Sequence, residues 1–186
     1  MNDKQKKILL SVARDTVKSV IGGTSIRLCD CDDPDLHCCC GCFVTLHNGE
    51  NLRGCIGQFV SEDPLIHLVA EMAKAASTDD PRFLDRPITV NELNHLHLEI
   101  SVLSPLKRTN DPLSLRLGTD GIYIRRGCVS GCFLPQVAEE TGWTREEFLS
   151  YCCSHKAGLA PNAWQDKRTE VYLFTAEVFG SHFNEI

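Results

Sequence analysis

Apolar residues near the start of the chain recur every three or four positions, which is the spacing of one buried helix face. The residues on this face are Ile8, Leu9, Val12, Ala13, Val17 and Ile21. Asn2 or Asp3 can cap the start of such a helix, and the Gly22-Gly23 pair can end it. The pattern therefore predicts an amphipathic helix that runs up to Gly22.

The period of the pattern changes after these glycines. Two runs typical of strands, CFVTL and NLRGCIGQF, flank the turn residues His47-Asn48-Gly49-Glu50. An Asn-Gly pair in this position predicts a β-hairpin, because both residues accept the backbone angles of a tight turn. Further along, HLEISVL alternates and predicts another strand. Its apolar side carries Leu98, Ile100 and Val102, and its polar side carries His97, Glu99 and Ser101.

Helix start signals mark the segments between the strands. Asp63 and Pro64 are predicted to open a second helix, with the aspartate as the cap and the proline in the first turn. Capping boxes at residues 89–92 and 144–147 predict two more helices. The buried face of the second helix would contain Leu65, Leu68, Val69, Met72, Ala73 and Ala76.

The last part of the chain returns to strand patterns. The segment GTDGIYIRRG predicts a turn followed by a strand. The segment FLPQVAEETGW predicts a loop that leads into a helix, and EVYLFTAEVF predicts one final strand. Hairpins together with segregated helices indicate an α+β fold that contains an antiparallel sheet with flanking helices. Because no linker or repeat divides the sequence, we expect a single domain over residues 1–186.

The composition is ordinary for a soluble globular protein, with 42% hydrophobic and 24% charged residues. The formal net charge of −6 argues against general binding of nucleic acids or acidic membranes, which requires a basic surface. The first residues form no unbroken apolar run, and no later stretch is long enough to span a membrane. We therefore expect a cytoplasmic location.

The segment LRGCIG, at residues 52–57, combines a thiol, a guanidinium and two glycines. Gly54 and Gly57 permit a bulge or a close approach by another group, so they are candidate binding residues. In a regular strand Arg53 and Cys55 share a face, which would let the guanidinium stabilise a Cys55 thiolate. Cys55 is thus a candidate nucleophile or redox thiol, and Arg53 is a candidate anion-binding residue.

A simpler interpretation is open for the same segment. Cys55 would be a small buried residue among apolar neighbours, and the two glycines would relieve crowding. The residues alone favour this interpretation, because no base accompanies the cysteine in a recognisable motif.

A second group of candidates follows the second predicted helix. Pro81 restricts Asp80 to an extended backbone, and Asp80 can pair with Arg82 to fix the corner. Arg82 would then offer a forked donor to a carboxylate or phosphate, or the pair would only lock a turn. Glu99 is a candidate general base or cation ligand if its strand face lines a cleft. On a face that meets water, Glu99 would be an ordinary polar residue.

Cysteines cluster before the first hairpin, and the chain has 11 of them, an odd number that excludes full internal pairing. Thiolates and an imidazole at this density can bind zinc or iron, or neighbouring thiols can form a redox switch. The spacing lacks the paired C-x-x-C arrangement of an established zinc site, so an exposed loop without a fixed role is the alternative. The candidate metal ligands are Cys29, Cys31, His37, Cys38, Cys40 and Cys42.

Segments along most of the chain resemble the AMMECR domain family, in the order that the family has them. LRGCIG resembles the signature hexapeptide of that family. The other matching segments are FVTL, AASTDDPRF, LEISVLSP, GTDGIYI, FLPQVAEETGW, FLSYCCSHKAGL and EVYLFTAEVF, and the match begins at about Phe43. The cysteine cluster departs from the family pattern, in which small residues precede FVTL.

The resemblance implies an AMMECR-like fold of two unequal lobes, with both termini in the larger lobe and the smaller lobe inserted. It also implies similarity to protein A of the AmmeMemoRadiSam system, whose companions are a radical S-adenosylmethionine enzyme and a Memo-type protein. The expected function is that of a partner or substrate-binding component acting with those proteins. Two alternatives stay open: an enzyme that uses Cys55, and a protein that binds metal through the cysteine cluster.

Overall fold

The computed structural model describes residues 1–25 and 31–186, which form two compact units. The first unit comprises Met1–Leu103 and Glu177–Ile186, and the second comprises Ser104–Ala176. Each unit has a four-stranded sheet and a buried apolar cluster of its own. The predicted α+β class with antiparallel pairing is confirmed.

Regular elements follow the predicted order closely. The α-helices are α1 (Asp3–Ile21), α2 (Leu65–Thr78), α3 (Gln136–Thr141) and α4 (Arg145–Tyr151), and α4 continues into a π-helical turn at Cys152–Lys156. The strands are β1 (Cys42–Asn48), β2 (Asn51–Gln58), β3 (Leu96–Leu103), β4 (Lys107–Thr109), β5 (Gly121–Arg126), β6 (Val129–Phe133), β7 (Glu170–Phe174) and β8 (Ala176–His182). Short 3₁₀ turns lie at Pro34–His37, Val90–His95, Pro112–Ser114 and Ala163–Gln165.

Helix α1 begins and ends where the sequence predicts. The Asn2 side chain accepts a hydrogen bond from the Gln5 N–H, and the Gln5 side chain accepts one from the Asn2 N–H, which forms a capping box. At the other end, the Gly22 N–H donates to the Lys18 carbonyl, and Gly23 has a positive φ of 68°. The helix packs with α2 on one face of the first sheet.

The first sheet has the strand order β2-β1-β3-β8, so β2 lies at an edge. The predicted hairpin joins β1 to β2 through Gly49, whose φ is 59°. The alternation of β1 and β3 buries Val44, Leu46, Leu98 and Ile100 completely beneath the two helices. Their odd-numbered neighbours occupy the opposite face of the sheet.

The start of α2 differs from the prediction, in which Asp63 caps the helix. Pro64 occupies the cap position, and no side chain there makes a capping hydrogen bond. The first helical N–H, that of Leu65, instead donates to the Cys38 carbonyl at 3.0 Å. A carbonyl from the cysteine-rich segment thus satisfies the donor that a local side chain was expected to satisfy.

The predicted final strand is two strands that belong to different sheets. β7 pairs with β4 and β5 in the second unit, whereas β8 lies beside β3 in the first. The break falls at Thr175, so the prediction of one final strand over EVYLFTAEVF is wrong. A continuous β pattern does not reveal a break of one residue, because both halves have the same composition and period.

The second sheet has the order β4-β7-β5-β6, and α3 and α4 belong to the same unit. Its core includes Ile122, Ile124, Phe148 and Val171, each 2% exposed or less. The predicted capping boxes at Thr89–Glu92 and Thr144–Glu147 are both present. Across the described ranges, none of the helices combines the length and apolar character needed to cross a membrane.

Glycine at position 54 allows α2 to lie directly against β2. A Cβ atom built on Gly54 would stand 1.8 Å from the carbonyl oxygen of Ala76, which is main chain in the last turn of α2. A Cβ on Gly57 would stand 2.3 Å from the Phe43 ring. The interpretation that these glycines relieve crowding therefore has a direct physical basis at both positions.

We predict that Gly54→Ala lowers the free energy of unfolding by about 3 kcal/mol, because overpacking against main chain forces the helix away from the sheet. Gly127→Ala is the matched control: its Cβ would meet nothing within 4 Å, and only its φ of 60° opposes alanine, at a cost of roughly 1 kcal/mol. Chemical denaturation measures both values. Equal losses in the two variants would contradict the packing argument.

Candidate functional site around the LRGCIG strand

The LRGCIG segment forms most of the edge strand β2, and it contains a bulge. Along the β1–β2 ladder, Leu46 pairs with Gly54 and the next residue, His47, pairs with Leu52, so the register skips Arg53. A bulge interrupts the simple alternation of faces. The sequence argument that put Arg53 and Cys55 side by side relied on that alternation.

The outer edge of β2 is bound by side chains rather than by another strand. The Cys55 N–H donates to Oδ2 of Asp80 at 2.9 Å, and Nη2 of Arg82 donates to the Cys55 carbonyl at 3.2 Å. Asp80 and Arg82 also pair with each other, with Nη2 to Oδ2 at 2.6 Å and Nε to Oδ1 at 2.9 Å. We call this arrangement the Asp80–Arg82 clasp, and it confirms the predicted ion pair.

Burial distinguishes the two partners of the clasp. The side chain of Asp80 is 2% exposed and that of Arg82 is 53% exposed. The Arg82 guanidinium, together with the Cys55 and Arg82 N–H groups, lowers the pKa of Asp80 to about 2 despite its burial. Asp80 therefore stays ionised and holds Arg82 in a fixed orientation at the surface.

The direction of the Cys55 main chain brings its thiol close to Thr45. Both main-chain polar groups of Cys55 point away from β1, so Cys55 and its partner Thr45 form a non-hydrogen-bonded pair, in which side chains lie closest. The Thr45 hydroxyl accordingly donates to the Cys55 sulfur at 3.3 Å. Cys55 is half-buried rather than enclosed.

A second clasp fixes Arg53 to the loop that follows α2. Its Nε donates to Oε2 of Glu92 at 2.9 Å, and its Nη2 donates to the carbonyls of Arg86 at 3.0 Å and Pro87 at 3.3 Å. Glu92 is also the last residue of the Thr89 capping box, and its pKa is lowered chiefly by Arg53. The guanidinium that contacts the Cys55 main chain is thus that of Arg82, while Arg53 binds the loop.

Glu99 lies in the same row of the sheet as Cys55 and Thr45. Thr45 pairs with Cys55 on one side and with Glu99 on the other. Two strand spacings separate the main chains of Cys55 and Glu99, roughly 10 Å, with Thr45 between them. Glu99 is half-buried on this face, and His97, one row away, has its pKa lowered mainly by burial.

The cysteine-rich segment is anchored but does not gather its predicted ligands around one point. The sulfurs of Cys38 and Cys40 lie 3.6 Å apart. The His37 ring contacts the Cys31 carbonyl, and Cys42 is fully buried in the core. No three His, Cys, Asp or Glu side chains in residues 1–25 and 31–186 are arranged to hold a metal ion. Cys29 lies outside the described residues.

Comparison with known proteins identifies the family. The AMMECR1 family model matches residues 10–179 of the chain. The chain belongs to the AMMECR1 family. The resemblance predicted from LRGCIG and the segments around it is therefore confirmed.

Archaeal relatives align with this chain over nearly its whole length. A protein of Methanothermobacter thermautotrophicus is 41% identical over 181 residues, which are 93% of this chain and 92% of that protein. A Thermococcus onnurineus protein is 38% identical over 194 aligned positions, 98% of this chain and 93% of the other. The crystal structure of the uncharacterized protein PH0010 from Pyrococcus horikoshii has a TM-score of 0.87 at 36% identity, and covers 97% of this chain and 93% of that one.

Sequence reasoning did not single out two residues of this AMMECR1 site. Thr45 donates the hydrogen bond to Cys55. The only indication of this role in the sequence was that Thr45 is a polar residue on the outward side of an alternating strand. Glu92 was recognised as part of a capping box, but its partner Arg53 is distant in sequence. The roles proposed for Cys55, Glu99, Arg53 and the metal ligands stay predictions.

We predict that Asp80→Asn destabilises the protein in a pH-dependent way. The folded-state pKa of about 2 lies below the ordinary value of 3.8, so the ionised carboxylate stabilises the fold above about pH 4 and this stabilisation is lost as the pH falls through 2. Its contribution is on the order of 1–2 kcal/mol, allowing for solvent around the half-exposed guanidinium.

The measurement is the free energy of unfolding of both proteins between pH 2 and pH 6. The gap between wild type and Asp80→Asn should narrow towards pH 2. Asp79→Asn is the matched control, because Asp79 is the exposed neighbour of Asp80. A gap that does not change with pH, or the same gap for Asp79→Asn, would overturn the assignment.

Proposed function

We propose that this AMMECR1-family protein is a binding component that recognises a partner or its bound substrate through the surface beside Cys55. Following the resemblance to protein A of the AmmeMemoRadiSam system, the partners are a radical S-adenosylmethionine enzyme and a Memo-type protein. The observation that carries the proposal is the Arg82 guanidinium, held rigidly by a buried carboxylate and yet half-exposed.

A guanidinium fixed in this way suits recognition of a carboxylate or phosphate. Arginine presents a planar fork of donors, and holding that fork in place beforehand reduces the entropy lost on binding. Asp80 and the Cys55 carbonyl engage only Nε and Nη2 of Arg82. The guanidinium also lies over the Phe83 ring, 5.4 Å from its centroid, which further limits its movement.

Apolar residues beside Arg82 give the same surface the character of a protein interface. Leu84, two residues after Arg82, is 62% exposed, and Val90, the first residue of the 3₁₀ turn that follows the same loop, is 60% exposed. The Arg86 guanidinium also lies over the Phe83 ring, 6.0 Å from its centroid. Arginine and aromatic side chains are enriched in protein interfaces, and neighbouring contacts that exclude water strengthen the binding of such anchors.

The cavity under this loop is too small to be the main ligand pocket. It has a volume of about 110 Å³ and is lined by Arg53, Asp80 and Phe83 among others. Pockets that enclose small molecules usually measure roughly 300–1,000 Å³. Recognition by the outer surface, rather than enclosure of a whole substrate, is therefore the function that this geometry favours.

We expect Arg82→Lys and Leu84→Ala each to weaken binding to the purified companion proteins by about tenfold. Lysine keeps the charge but loses the fork, and the leucine change removes an exposed contact without touching the core. Isothermal titration calorimetry with the radical enzyme and the Memo-type protein, with and without S-adenosylmethionine, measures the affinity.

Lys74→Ala serves as the control, because it removes an exposed positive charge on α2. Its affinity should stay within twofold of wild type, and both Leu84→Ala and Lys74→Ala should unfold at nearly the wild-type temperature. The proposal fails if no complex forms under any of these conditions, or if Lys74→Ala weakens binding as much as Arg82→Lys.

An enzyme that uses Cys55 is the second candidate, and the observation that favours it is the Thr45 hydroxyl, which donates a hydrogen bond to the half-buried Cys55 sulfur. The Cys55 N–H, which would otherwise be available to a developing anion, is bound to Asp80. This arrangement is the reason for ranking the enzyme second.

Thiol labelling followed by peptide mass spectrometry separates the two candidates. Cys38 and Cys39 are exposed and should label first, whereas burial raises the pKa of Cys42 to about 12 and should protect it until the protein unfolds. As part of a binding surface, Cys55 should label at an intermediate rate. Labelling of Cys55 ahead of Cys38 at mildly acidic pH would instead support the enzyme.

A further inference from the structure

The second unit carries a concentration of positive charge that the overall composition conceals. It contains nine Lys or Arg and eight Asp or Glu, whereas the whole chain has 19 and 25. Five of the cations surround only two carboxylates, those of Asp166 and Glu170. These cations are Arg108, Arg125, Arg126, Lys167 and Arg168.

Ion pairing accounts for the arginines of this cluster but leaves an excess of positive charge. Glu170 binds Arg108 at 3.3 Å and Arg125 at 2.7 Å. Asp166 accepts from Arg126 and from Arg168, the latter at 2.7 Å. Lys167 takes part in no ion pair within the described part of the chain. The neighbourhood therefore favours an added anion.

A cavity of about 540 Å³ lies within this basic cluster, entirely inside the second unit. It is formed by the edge strand β4 with the residues after it, and by the segment from Trp164 to Thr169. Its volume falls in the range that is usual for small-molecule sites, roughly 300–1,000 Å³. Its charged lining residues are the cations Arg108 and Lys167 and the carboxylate of Asp166, which already pairs with Arg126 and Arg168.

One wall of the cavity contains a buried hydroxyl without a partner. Thr169 is 7% exposed, and its Oγ1 makes no hydrogen bond to any described residue. Nε of Arg126, whose Nη2 pairs with Asp166, is likewise buried and unpaired in the described structure. Buried polar groups are nearly always hydrogen-bonded in native proteins, so these two unpaired groups call for a partner such as a water, an ion or a ligand.

The remaining lining suits a planar ring. The Trp164 indole is held in place by its Nε1, which donates to the Ser150 hydroxyl at 3.1 Å, so it offers a fixed surface for stacking. The Asn110 and Gln165 side chains line the same cavity and can donate to and accept from the edge of a ring.

We propose that this cavity binds a small phosphate ester that carries a planar ring, for which a nucleoside monophosphate is the simplest example. Lys167 and Arg108 bind the phosphate, the Thr169 hydroxyl completes its hydrogen bonds, and the ring lies against Trp164. This site lies in the second unit, uses none of the residues of the Asp80–Arg82 clasp, and stands independently of the proposed partner binding.

Isothermal titration calorimetry of the full-length protein tests the site with three probes: AMP, inorganic phosphate and adenosine. AMP should bind with saturation, and each of the other two should bind at least tenfold more weakly, because each offers only half of the contacts. No saturable binding of AMP up to millimolar concentration, or equal binding of AMP and adenosine, would overturn the proposal.

Three variants locate the binding. Lys167→Ala and Thr169→Val should each weaken AMP binding about tenfold, since one removes the unpaired cation and the other replaces the hydroxyl with a methyl group of similar shape. Lys107→Ala is the matched control, because Lys107 neighbours Arg108 on β4 but does not line this cavity. Its affinity should stay within twofold of wild type.

The unfolding temperature of each variant, measured without AMP, shows whether a loss of affinity is caused by a loss of folding. Thr169→Val should unfold at the wild-type temperature or higher, because it removes an unsatisfied buried hydroxyl. If Lys107→Ala weakens AMP binding as much as Lys167→Ala, or if Thr169→Val binds AMP like wild type, the cavity is not the site.

Discussion

The Asp80 carboxylate accepts the Cys55 N–H from the free edge of β2 while it holds the Arg82 guanidinium against the Cys55 carbonyl. An edge strand presents unpaired main-chain groups, which invite pairing with another chain. Here a carboxylate and a guanidinium occupy the positions that a neighbouring strand would fill. The helix, the bulge and the loop around β2 are all consistent with this arrangement.

The composition of LRGCIG follows from what surrounds the strand. Gly54 gives α2 room to approach, Arg53 leaves the ladder at a bulge and binds Glu92, and Cys55 offers its main chain to the clasp. Gly57 lies against the Phe43 ring. Most of the segment is thus explained by packing and hydrogen bonding, and the surface that it leaves exposed is provided by the loop residues Arg82 and Leu84.

Local signals in the sequence predicted local structure well, because caps and tight turns depend on residues only a few positions apart. The Asn2 cap, the Gly49 hairpin and the Thr144 capping box are examples. Predictions were wrong where a group distant in sequence made a contact that was expected of a neighbouring side chain. The Cys38 carbonyl caps α2 in place of Asp63, a contact that pattern reading along one segment cannot anticipate.

The same limit applies to the candidate site. The Asp80–Arg82 pair was predictable from a spacing of two residues, whereas the partnership of Arg53 with Glu92 spans 39 positions. Net charge has a similar limit, because an average over the chain does not show a basic cluster in one unit. Arg108, Arg126 and Lys167 are separated in sequence and converge only through the pairing of β4, β5 and β7.

The break at Thr175 has a consequence for the history of this fold. Ser104 and Thr175, at the two ends of the second unit, are joined by a pair of hydrogen bonds of 2.9 Å, Ser104 N–H to the Thr175 carbonyl and Thr175 N–H to Oγ of Ser104. β3 and β8, which flank this insert, are neighbours in one sheet. A short turn would therefore join them directly, so a single genetic event is enough to add or delete the whole insert without breaking the sheet of its host.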